Sequence, residues 1–536
     1  MISKFSLILL VTISLVAFGE NKNPSNQHGE SISEEQREAL KELREENIVY
    51  SRGAASISNR ELLREEDITV FPVISDDSVT PGWQTRDIIG GSDLDQDGLK
   101  EIIITDYQVH GVHIYELIAD NTLEWVATLD DATSTYGSTP RQVITGDLDG
   151  NGREEIIFSQ FRDPVDPNSG INVWEWDGVI GSDNYTRYVM PILVDGVEVD
   201  RYYGNNCLNI GDVDQDGQTE LLIGNNGSDH AFDICLITHV EGEFESGTFE
   251  LSHEYIVDQN SGVFNGSPGY GQPNIADLDG DGDLEAIFSV WDHATFLFLE
   301  SPGPDVYDLQ STLIMDSSFT DQVVYGATHV ADIDGDGIDE IYGGLYPEGW
   351  LWQIKGGDDV SEISYENNLV NIIADSGAVW DVCGGDVDTE ADGVDEIFSV
   401  DYDHAIVYKH RFNGLFWQTS LVYEWEHLMG GFTLSFAGDL DGDGAPELLQ
   451  GFLEPPFTEG NPLGYTFAII EWNDFPPIGD VNGDYLVDVN DLTMLLDFIV
   501  SLELPDGSQF VRADFNNDGL LDVFDAVSLV ELLFDD

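Results

Sequence analysis

A nine-residue loop rich in aspartate recurs along the chain and carries the residues best suited to chemistry. Its first copy has carboxylates at Asp93, Asp95 and Asp97, a turn residue at Gly98 and a closing acid at Glu101. Acids at loop positions 1, 3 and 5 converge in a tight turn, and glycine at position 6 permits that turn. Because six to eight hard oxygen ligands suit Ca²⁺, the spacing predicts a calcium site.

Six further copies follow, each with an oxygen-bearing side chain at positions 1, 3, 5 and 9. The predicted ligands of the seven loops are Asp93, Asp95, Asp97 and Glu101; Asp147, Asp149, Asn151 and Glu155; Asp212, Asp214, Asp216 and Glu220; Asp277, Asp279, Asp281 and Glu285; Asp332, Asp334, Asp336 and Glu340; Asp386, Asp388, Asp392 and Glu396; and Asp439, Asp441, Asp443 and Glu447. A single acidic turn is ordinarily a solvated surface feature, whereas seven matching copies predict a repeated metal site.

Two of these loops depart from the pattern. Asn151 replaces a carboxylate in the second loop, so we expect that site to bind calcium more weakly than the others. In the sixth loop, Glu390 and Ala391 are inserted before Asp392 and change the expected geometry. The fifth loop, with Asp336 at position 5, is complete.

Short apolar runs follow the loops and predict the elements that position them. The runs at 102–104, 156–158 and 221–223 directly follow closing glutamates and are typical of buried strands. The first aspartates of successive loops are 53–65 residues apart, which leaves room for about four strands per repeat. Since one such unit cannot bury both of its faces, we expect a mainly β fold in which seven blades stack into a ring.

The loops and their spacing resemble the FG-GAP (VCBS-type) repeats of the integrin α-subunit propeller. The resemblance covers Ile68 to Trp472 and implies a seven-bladed β-propeller with Ca²⁺-binding loops. In that family the calcium loops join strands 1 and 2 of each blade on one face. The opposite face, formed by the loops between strands 2 and 3 and by the connections between blades, usually holds ligand sites.

A different loop pattern occupies the C-terminal region. Two copies, 34 residues apart, supply oxygens at positions 1, 3, 5, 9 and 12 and each leads into a helical pattern: Asp480, Asn482, Asp484, Asp488 and Asp491, then Asp514, Asn516, Asp518, Asp522 and Asp525. Residues 478–536 resemble a type I dockerin, a small α-helical domain of paired calcium loops. The resemblance implies a cohesin-type scaffold protein as partner, usually in a polysaccharide-degrading assembly.

This C-terminal module departs from the dockerin pattern in its recognition residues. Its helices have no Lys or Arg, and loop positions 10 and 11 are Val489-Asn490 and Val523-Phe524 instead of a hydroxyl pair. The alternative is therefore a calcium module that stabilises the terminus or contacts a neighbouring protein.

The remaining segments predict an exported protein of several parts. Residues 1–19 have the charge and apolar run of a signal peptide. Residues 20–67 form a polar segment with a short helix predicted from Ser33 to Glu46. The propeller is assigned to 68–474, a proline linker to 475–479 and the dockerin-like domain to 480–536. Three cysteines are too few for a disulfide framework, and no second long apolar stretch predicts a membrane span.

The charge of the chain excludes one class of partner. Asp and Glu number 104 against 19 Lys and Arg, a formal net charge of −85 that even about nine bound Ca²⁺ would leave strongly negative. Nucleic acid is excluded because phosphate binding requires clusters of Lys and Arg. The acidity is typical of a protein from a saline environment, where salt screens self-repulsion, and the chain is predicted to be secreted and bacterial.

Candidate ligand residues fall where the face opposite the calcium loops is expected. Asp-His-Ala recurs at His230, His293 and His404, and Arg86, Arg141 and Tyr203 precede first strands. Imidazoles could bind a sugar acid, ligate a metal or move protons. Alternatively, each Asp-His pair makes the turn and caps the third strand, and the arginines and Tyr203 are ordinary packing residues.

Two functions remain open on these residues. The first is a non-catalytic module that binds a carbohydrate or a cell-surface ligand, since no nucleophile, zinc-protease or phosphate-loop signature is found. The second is a lyase that cleaves uronic-acid polymers with the His, Tyr and Arg residues as weak catalytic candidates. The scarcity of positive charge for docking a polyanion favours the first.

Overall fold

The structure is a computed structural model that describes most of the repeat region and part of the C-terminal module. The described residues are 63–64, 68–75, 84–106, 111–119, 122–130, 140–159, 171–190, 193–194, 197–198, 207–226, 233–264, 266–291, 295–314, 323–346, 350–374, 379–387, 394–401, 405–412, 417–425, 428, 430–472, 481, 489–500, 513, 521 and 523–534. The predicted signal peptide, the helix from Ser33 to Glu46 and the proline linker lie outside them.

Seven antiparallel sheets of four blade strands each confirm the predicted seven-bladed propeller. From the ring axis outward, the strands of blades one to seven are Thr85–Gly90, Glu101–Asp106, Gly111–Ala119 and Thr122–Asp130; Ile144–Gly146, Glu155–Ser159, Ile171–Trp176 and Tyr185–Met190; Leu208–Gly211, Glu220–Asn225, Ile234–Glu241 and Glu250–Asp258; Asn274–Ala276, Glu285–Val290, Thr295–Gly303 and Val306–Ile314; Val323–Ala331, Glu340–Tyr346, Trp350–Lys355 and Leu369–Ala374; Val379–Gly385, Glu396–Asp401, Ile406–Phe412 and Trp417–Glu424; and Gly431–Gly438, Glu447–Phe452, Tyr465–Trp472 and Ile68–Ile74.

The last blade closes the ring by combining both ends of the repeat region. Its outermost strand, Ile68–Ile74, precedes blade one in sequence and pairs antiparallel with Tyr465–Trp472. Just before it, Leu63–Arg64 pairs parallel with the outer strand of blade six. The ring is thus closed by the first blade strand of the chain, and no acidic loop adjoins that strand in the sequence.

The hydrophobic core is divided into seven layers, one between each pair of adjacent blades. Between blades two and three, for example, Ile157 packs in one cluster with Leu221 and Ile223. Between blades seven and one, Leu449 packs with Ile102. Fully burying an aliphatic side chain of this size contributes about 1.5–3 kcal/mol, so each layer depends on the neighbouring blade being in place.

Polar side chains of the first strands connect each blade to the next around the central channel. The bonds, in ring order, run from Val143 N–H to Asp87, from Leu208 N–H to Gln142, from Asn209 to the Pro273 carbonyl, from Thr328 to Asn274, from Ala327 N–H to Asp381, from Leu434 N–H to Asp381 and from Thr433 to Asp87. The channel contains a cavity of about 540 Å³, lined by both polar and apolar residues.

The remaining described elements are short or belong to the C-terminal region. A small hairpin pairs Leu193–Val194 with Val197–Glu198, and single helical turns lie at Phe244–Ser246, Gln259–Ser261, Val360–Glu362 and Tyr365–Asn368. Two longer helices, Val489–Ile499 and Val523–Phe534, share a core containing Leu495 and Leu529. Within the described part of the chain, no helix has the length and hydrophobicity to span a membrane.

Candidate calcium loops and the opposite face

The acidic loops connect strands 1 and 2 of the blades, where the family resemblance placed them. In six loops the first aspartate accepts the backbone N–H of the position 6 glycine at 2.8–3.1 Å, as Asp93 does from Gly98. These glycines have φ between 85° and 96°, a backbone region that other residues avoid. Glycine is therefore required for the first aspartate to close over its own loop.

The closing glutamate has the same hydrogen bond in all seven loops. Its Oε2 accepts the backbone N–H of loop position 2 at 2.6–3.3 Å, as Glu155 does from Leu148 and Glu447 from Leu440. The second oxygen, Oε1, of Glu155 and of Glu447 is buried and has no hydrogen-bond partner among the described residues. A buried acceptor is costly to leave unpaired, and a cation bound in the loop would satisfy these oxygens.

Burial and mutual repulsion raise the pKa values of these glutamates. Desolvation is the largest cause, and the loop aspartates add to it. The pKa rises to about 8 for Glu101, Glu220 and Glu285 and to about 9 for Glu155 and Glu447. The folded loop thus disfavours the ionised glutamate unless positive charge is supplied nearby.

The donor set fits calcium. In the third loop, carboxylate oxygens of Asp212, Asp214, Asp216 and Glu220 lie within 4.8 Å of one another, and those of the seventh loop do the same. Such convergent oxygen ligands match the coordination preference of Ca²⁺. For the sixth loop, Asp388 and Asp392 lie outside the described residues.

The aspartate at position 3 also connects its loop to the next blade. Asp149 accepts the backbone N–H of Phe244 at 2.8 Å, and Asp214 accepts that of Asp305 at 2.6 Å. Phe244 and Asp305 lie in the connections between strands 3 and 4 of blades three and four. A change in one loop is therefore transmitted to the packing of the adjacent blade.

In the second loop, the positively charged side chain of Arg153 lies beside Asn151, the residue that departs from the loop motif. The Arg153 guanidinium pairs with Glu175 and lies 2.9 Å from Glu245, while its Nε is 3.3 Å from Asn151 Oδ1. Asn151 in turn donates to Glu175 at 2.6 Å. Arg153 therefore adds a second reason to expect weaker calcium binding in this loop.

Sequence reasoning missed a further carboxylate beside four of the loops. The antiparallel register places a glutamate of strand 3 directly opposite the closing glutamate; these residues are Glu116, Glu175, Glu300 and Glu471. Burial, together with the loop aspartates, raises the pKa of Glu116 to about 7. Each of these glutamates lies 15–24 residues after the closing glutamate, outside any loop motif, so the strand pairing had to be known to find them.

On the opposite face, the two candidate arginines are buried packing residues. Arg86 is 6% exposed, and its guanidinium carbon lies 3.7 Å from the centre of the Phe432 ring and 5.7 Å from that of Trp380. Arg141 is 8% exposed. The other candidates, Tyr203, His230, His293 and His404, lie outside the described residues.

A half-buried aromatic pair is present on this face. Trp291 follows strand 2 of blade four and Tyr270 precedes its strand 1, and their ring centres are 4.3 Å apart. Phe457, in the loop between strands 2 and 3 of blade seven, is 64% exposed. Aromatic rings that keep one side accessible can pack against an apolar ligand surface while their polar edges form hydrogen bonds.

In the C-terminal region, two of the ten predicted ligands are described. Asp491 and Asp525 are fully buried, each in the first turn of one of the two helices. The other eight, Asp480, Asn482, Asp484, Asp488, Asp514, Asn516, Asp518 and Asp522, lie outside the described residues.

Several solved structures are similar to this chain. An Agrocybe aegerita lectin that recognises non-reducing terminal N-acetylglucosamine is 15% identical, with a TM-score of 0.43 over 70% of this chain and 94% of that one. A Burkholderia pseudomallei lectin is 9% identical, with a TM-score of 0.45 over 69% and 93%. BBS1N, solved in complex with ARL6DN, is 10% identical, with a TM-score of 0.45 over 75% and 97%.

Comparison at the level of sequence gives one match. No curated protein matches the chain. Residues 93–158, which span the first two acidic loops, match the family described as FG-GAP-like repeat, and together with the seven-bladed ring this supports a propeller built of such repeats.

Proposed function

We propose that this chain is a calcium-binding, non-catalytic propeller that presents a ligand-binding face opposite its calcium loops. The observation that carries the proposal is the closing glutamate, repeated seven times with one oxygen bonded to the backbone. In Glu155 and Glu447 the other oxygen is buried and unpaired among the described residues. Bound calcium would supply the positive charge that these converging oxygens need. The signal-like residues 1–19 support a function outside the cell, where millimolar-range calcium modules operate.

Carbohydrate is the ligand that the opposite face supports best. The Trp291–Tyr270 pair offers an aromatic surface, and the polar edges of the rings suit the hydroxyl groups of a sugar. Lyase chemistry is less well supported, because Arg86 packs against Phe432 and Arg141 is buried. The excess of acids over bases also disfavours the capture of an anionic polymer.

Replacing Trp291 with alanine tests this face. We expect wild-type protein to be retained on at least one of a panel of immobilised plant, fungal and algal polysaccharides. Trp291→Ala should lose roughly tenfold or more in affinity, the equivalent of about 1.4 kcal/mol, with calcium content and melting temperature little changed. Trp125→Ala, in the outer strand of blade one, is the matched control and should bind normally. Retention of Trp291→Ala equal to that of wild type would contradict the assignment.

The C-terminal helices support a second interaction, with a cohesin-type scaffold module. Both helices begin with exposed apolar side chains, Val489 at 65% and Val523 at 61% exposure, and Phe524 and Val527 extend the surface on the second helix. An apolar surface of this kind is typical of a protein interface when its centre is free of charge. It compensates for the absence of Lys and Arg in the helices.

A charged substitution within that surface should abolish docking. We expect pull-down of the full chain by immobilised cohesin modules to require Ca²⁺ and to fall more than tenfold in Val527→Asp, since interface anchors commonly contribute over 1 kcal/mol. Val179→Asp changes another exposed valine, on the propeller, and should have no effect. If no cohesin retains the wild-type chain, the C-terminal region is a calcium module without this partner.

A further inference from the structure

The strand 3 residue opposite the closing glutamate differs in charge from blade to blade. In blades one, two, four and seven it is a glutamate, as described above. In blades three, five and six a basic residue takes its place: His239 is paired with Glu220, Lys355 with Glu340, and Arg411 lies beside Glu396. The seven loops, which look alike in sequence, therefore differ in the residue that pairs with their closing glutamate.

In blade five the basic side chain contacts two of the predicted calcium ligands. Lys355 Nζ lies 2.7 Å from Asp334 Oδ2 and 3.3 Å from Glu340 Oε1, which are the acids at loop positions 3 and 9. Glu340 Oε2 accepts hydrogen bonds from Ile333 N–H and from the Tyr342 hydroxyl. Both oxygens of the closing glutamate are thus occupied by groups of the chain itself.

Among the residues that the structure describes, loops two and seven have no side-chain cation like that of Lys355 beside Oε1 of the closing glutamate. There, the equivalent Oε1 of Glu155 and of Glu447 is buried and has no hydrogen-bond partner among the described residues. It is the oxygen left available to a ligand, because Oε2 is bonded to the backbone. Lys355 therefore lies where a cation would contact the loop.

In blade six a guanidinium lies beside the closing glutamate. Arg411 Nε is 3.5 Å from Glu396 Oε1, while Glu396 Oε2 accepts the Val387 N–H at 3.1 Å. This is also the loop that departs from the motif by the insertion of Glu390 and Ala391. Two positive charges at one loop repel each other, so a side-chain cation and a bound calcium ion compete for the same oxygens.

We propose that Lys355 replaces calcium in the fifth loop, with Arg411 acting likewise in the sixth, so that these two blades are held by cations of the chain itself. The proposal rests on the proposed calcium binding of the other loops. A side-chain cation stabilises the loops of these two blades when calcium is scarce. The number of calcium ions bound per chain is therefore set by the residues of strand 3 as well as by the loop sequences.

The test reverses the charge at this position in the full chain. Lys355→Glu recreates the residue type found opposite the closing glutamate in four other blades, and we expect it to bind one more Ca²⁺ per chain than wild type, measured by native mass spectrometry. The converse change, Glu116→Lys in blade one, should bind one fewer. Lys409→Glu makes the same charge change on strand 3 of blade six, opposite Phe398, and should leave the number unchanged.

The outcomes separate this inference from the proposed function. If wild type binds no calcium, calcium binding itself is refuted. If wild type binds calcium but Lys355→Glu and the neutral Lys355→Gln do not gain an ion, the replacement by Lys355 is refuted. Both variants should also melt lower than wild type without calcium and recover when it is added. Failure of both to fold in calcium would count against the inference too, because the ion should then take the vacated position.

Discussion

In excess EDTA, the full chain should melt roughly 10 °C or more below its melting temperature in millimolar calcium. A ligand at 100 times its dissociation constant that binds only the native state stabilises it by about 2.7 kcal/mol, and several loops contribute together. In domains of 150–250 residues, 1 kcal/mol shifts the melting temperature by about 2–4 °C, and less in larger ones. The effect should reach the whole ring, because Asp149 and Asp214 connect their loops to the next blade.

Monovalent salt is the control for this experiment. Raising KCl screens the repulsion of the 104 acids but cannot provide a ligated ion inside a loop. We therefore expect salt to restore a small part of the lost stability and calcium to restore nearly all of it. A melting curve that is the same with and without EDTA would mean that the loops fold without metal.

The Glu447→Gln variant should change stability in opposite directions with and without calcium. In calcium it loses a charged ligand of the seventh loop and should be less stable by about 3 kcal/mol, the contribution of one saturated site. Without calcium it should be more stable than wild type at pH 7 by roughly 2 kcal/mol, because glutamine avoids the burial of a carboxyl group. The oxygen of the substituted amide can still accept the Leu440 N–H, so the loop geometry is kept.

The direction of the pH dependence of stability follows from the raised pKa of Glu447. Burial lifts it from 4.5 to about 9, so the folded protein binds a proton that the unfolded chain releases. In calcium-free wild type, the contribution of Glu447 to stability is therefore full below pH 4.5 and is lost as the pH rises from there to about 9. Glu447→Gln should make this decline shallower, as measured by urea unfolding at several pH values. Glu250→Gln, on an exposed outer strand, should not change the decline, and a variant destabilised equally in both buffers would contradict the reasoning.

The parts of the structure that could be predicted from the sequence are those encoded locally. The loop from Asp93 to Glu101 contains its own turn glycine, its ligands and the beginning of the next strand, so one segment specifies the site. Repetition at blade-like spacing then predicts the seven-bladed ring, since each unit needs a neighbour to bury its faces.

The parts that could not be predicted depend on contacts between distant segments. Ile68–Ile74 becomes the outer strand of blade seven by pairing with Tyr465–Trp472 near the other end of the repeat region, and no local pattern indicates this. Lys355 reaches the fifth loop because the antiparallel register places it opposite Glu340. Arg86 has a sequence position compatible with ligand binding, yet its packing against Phe432 is visible in the fold alone.

Counting the calcium ions retained by the full chain tests the central claim most directly. After desalting in trace calcium, atomic emission should detect several ions per wild-type chain and about two fewer in the double variant Glu101→Gln/Glu447→Gln, because each substitution removes the closing ligand of one loop. A wild-type chain that retains no calcium, or a double variant that retains as much as wild type, would contradict the assignment of these loops as calcium sites.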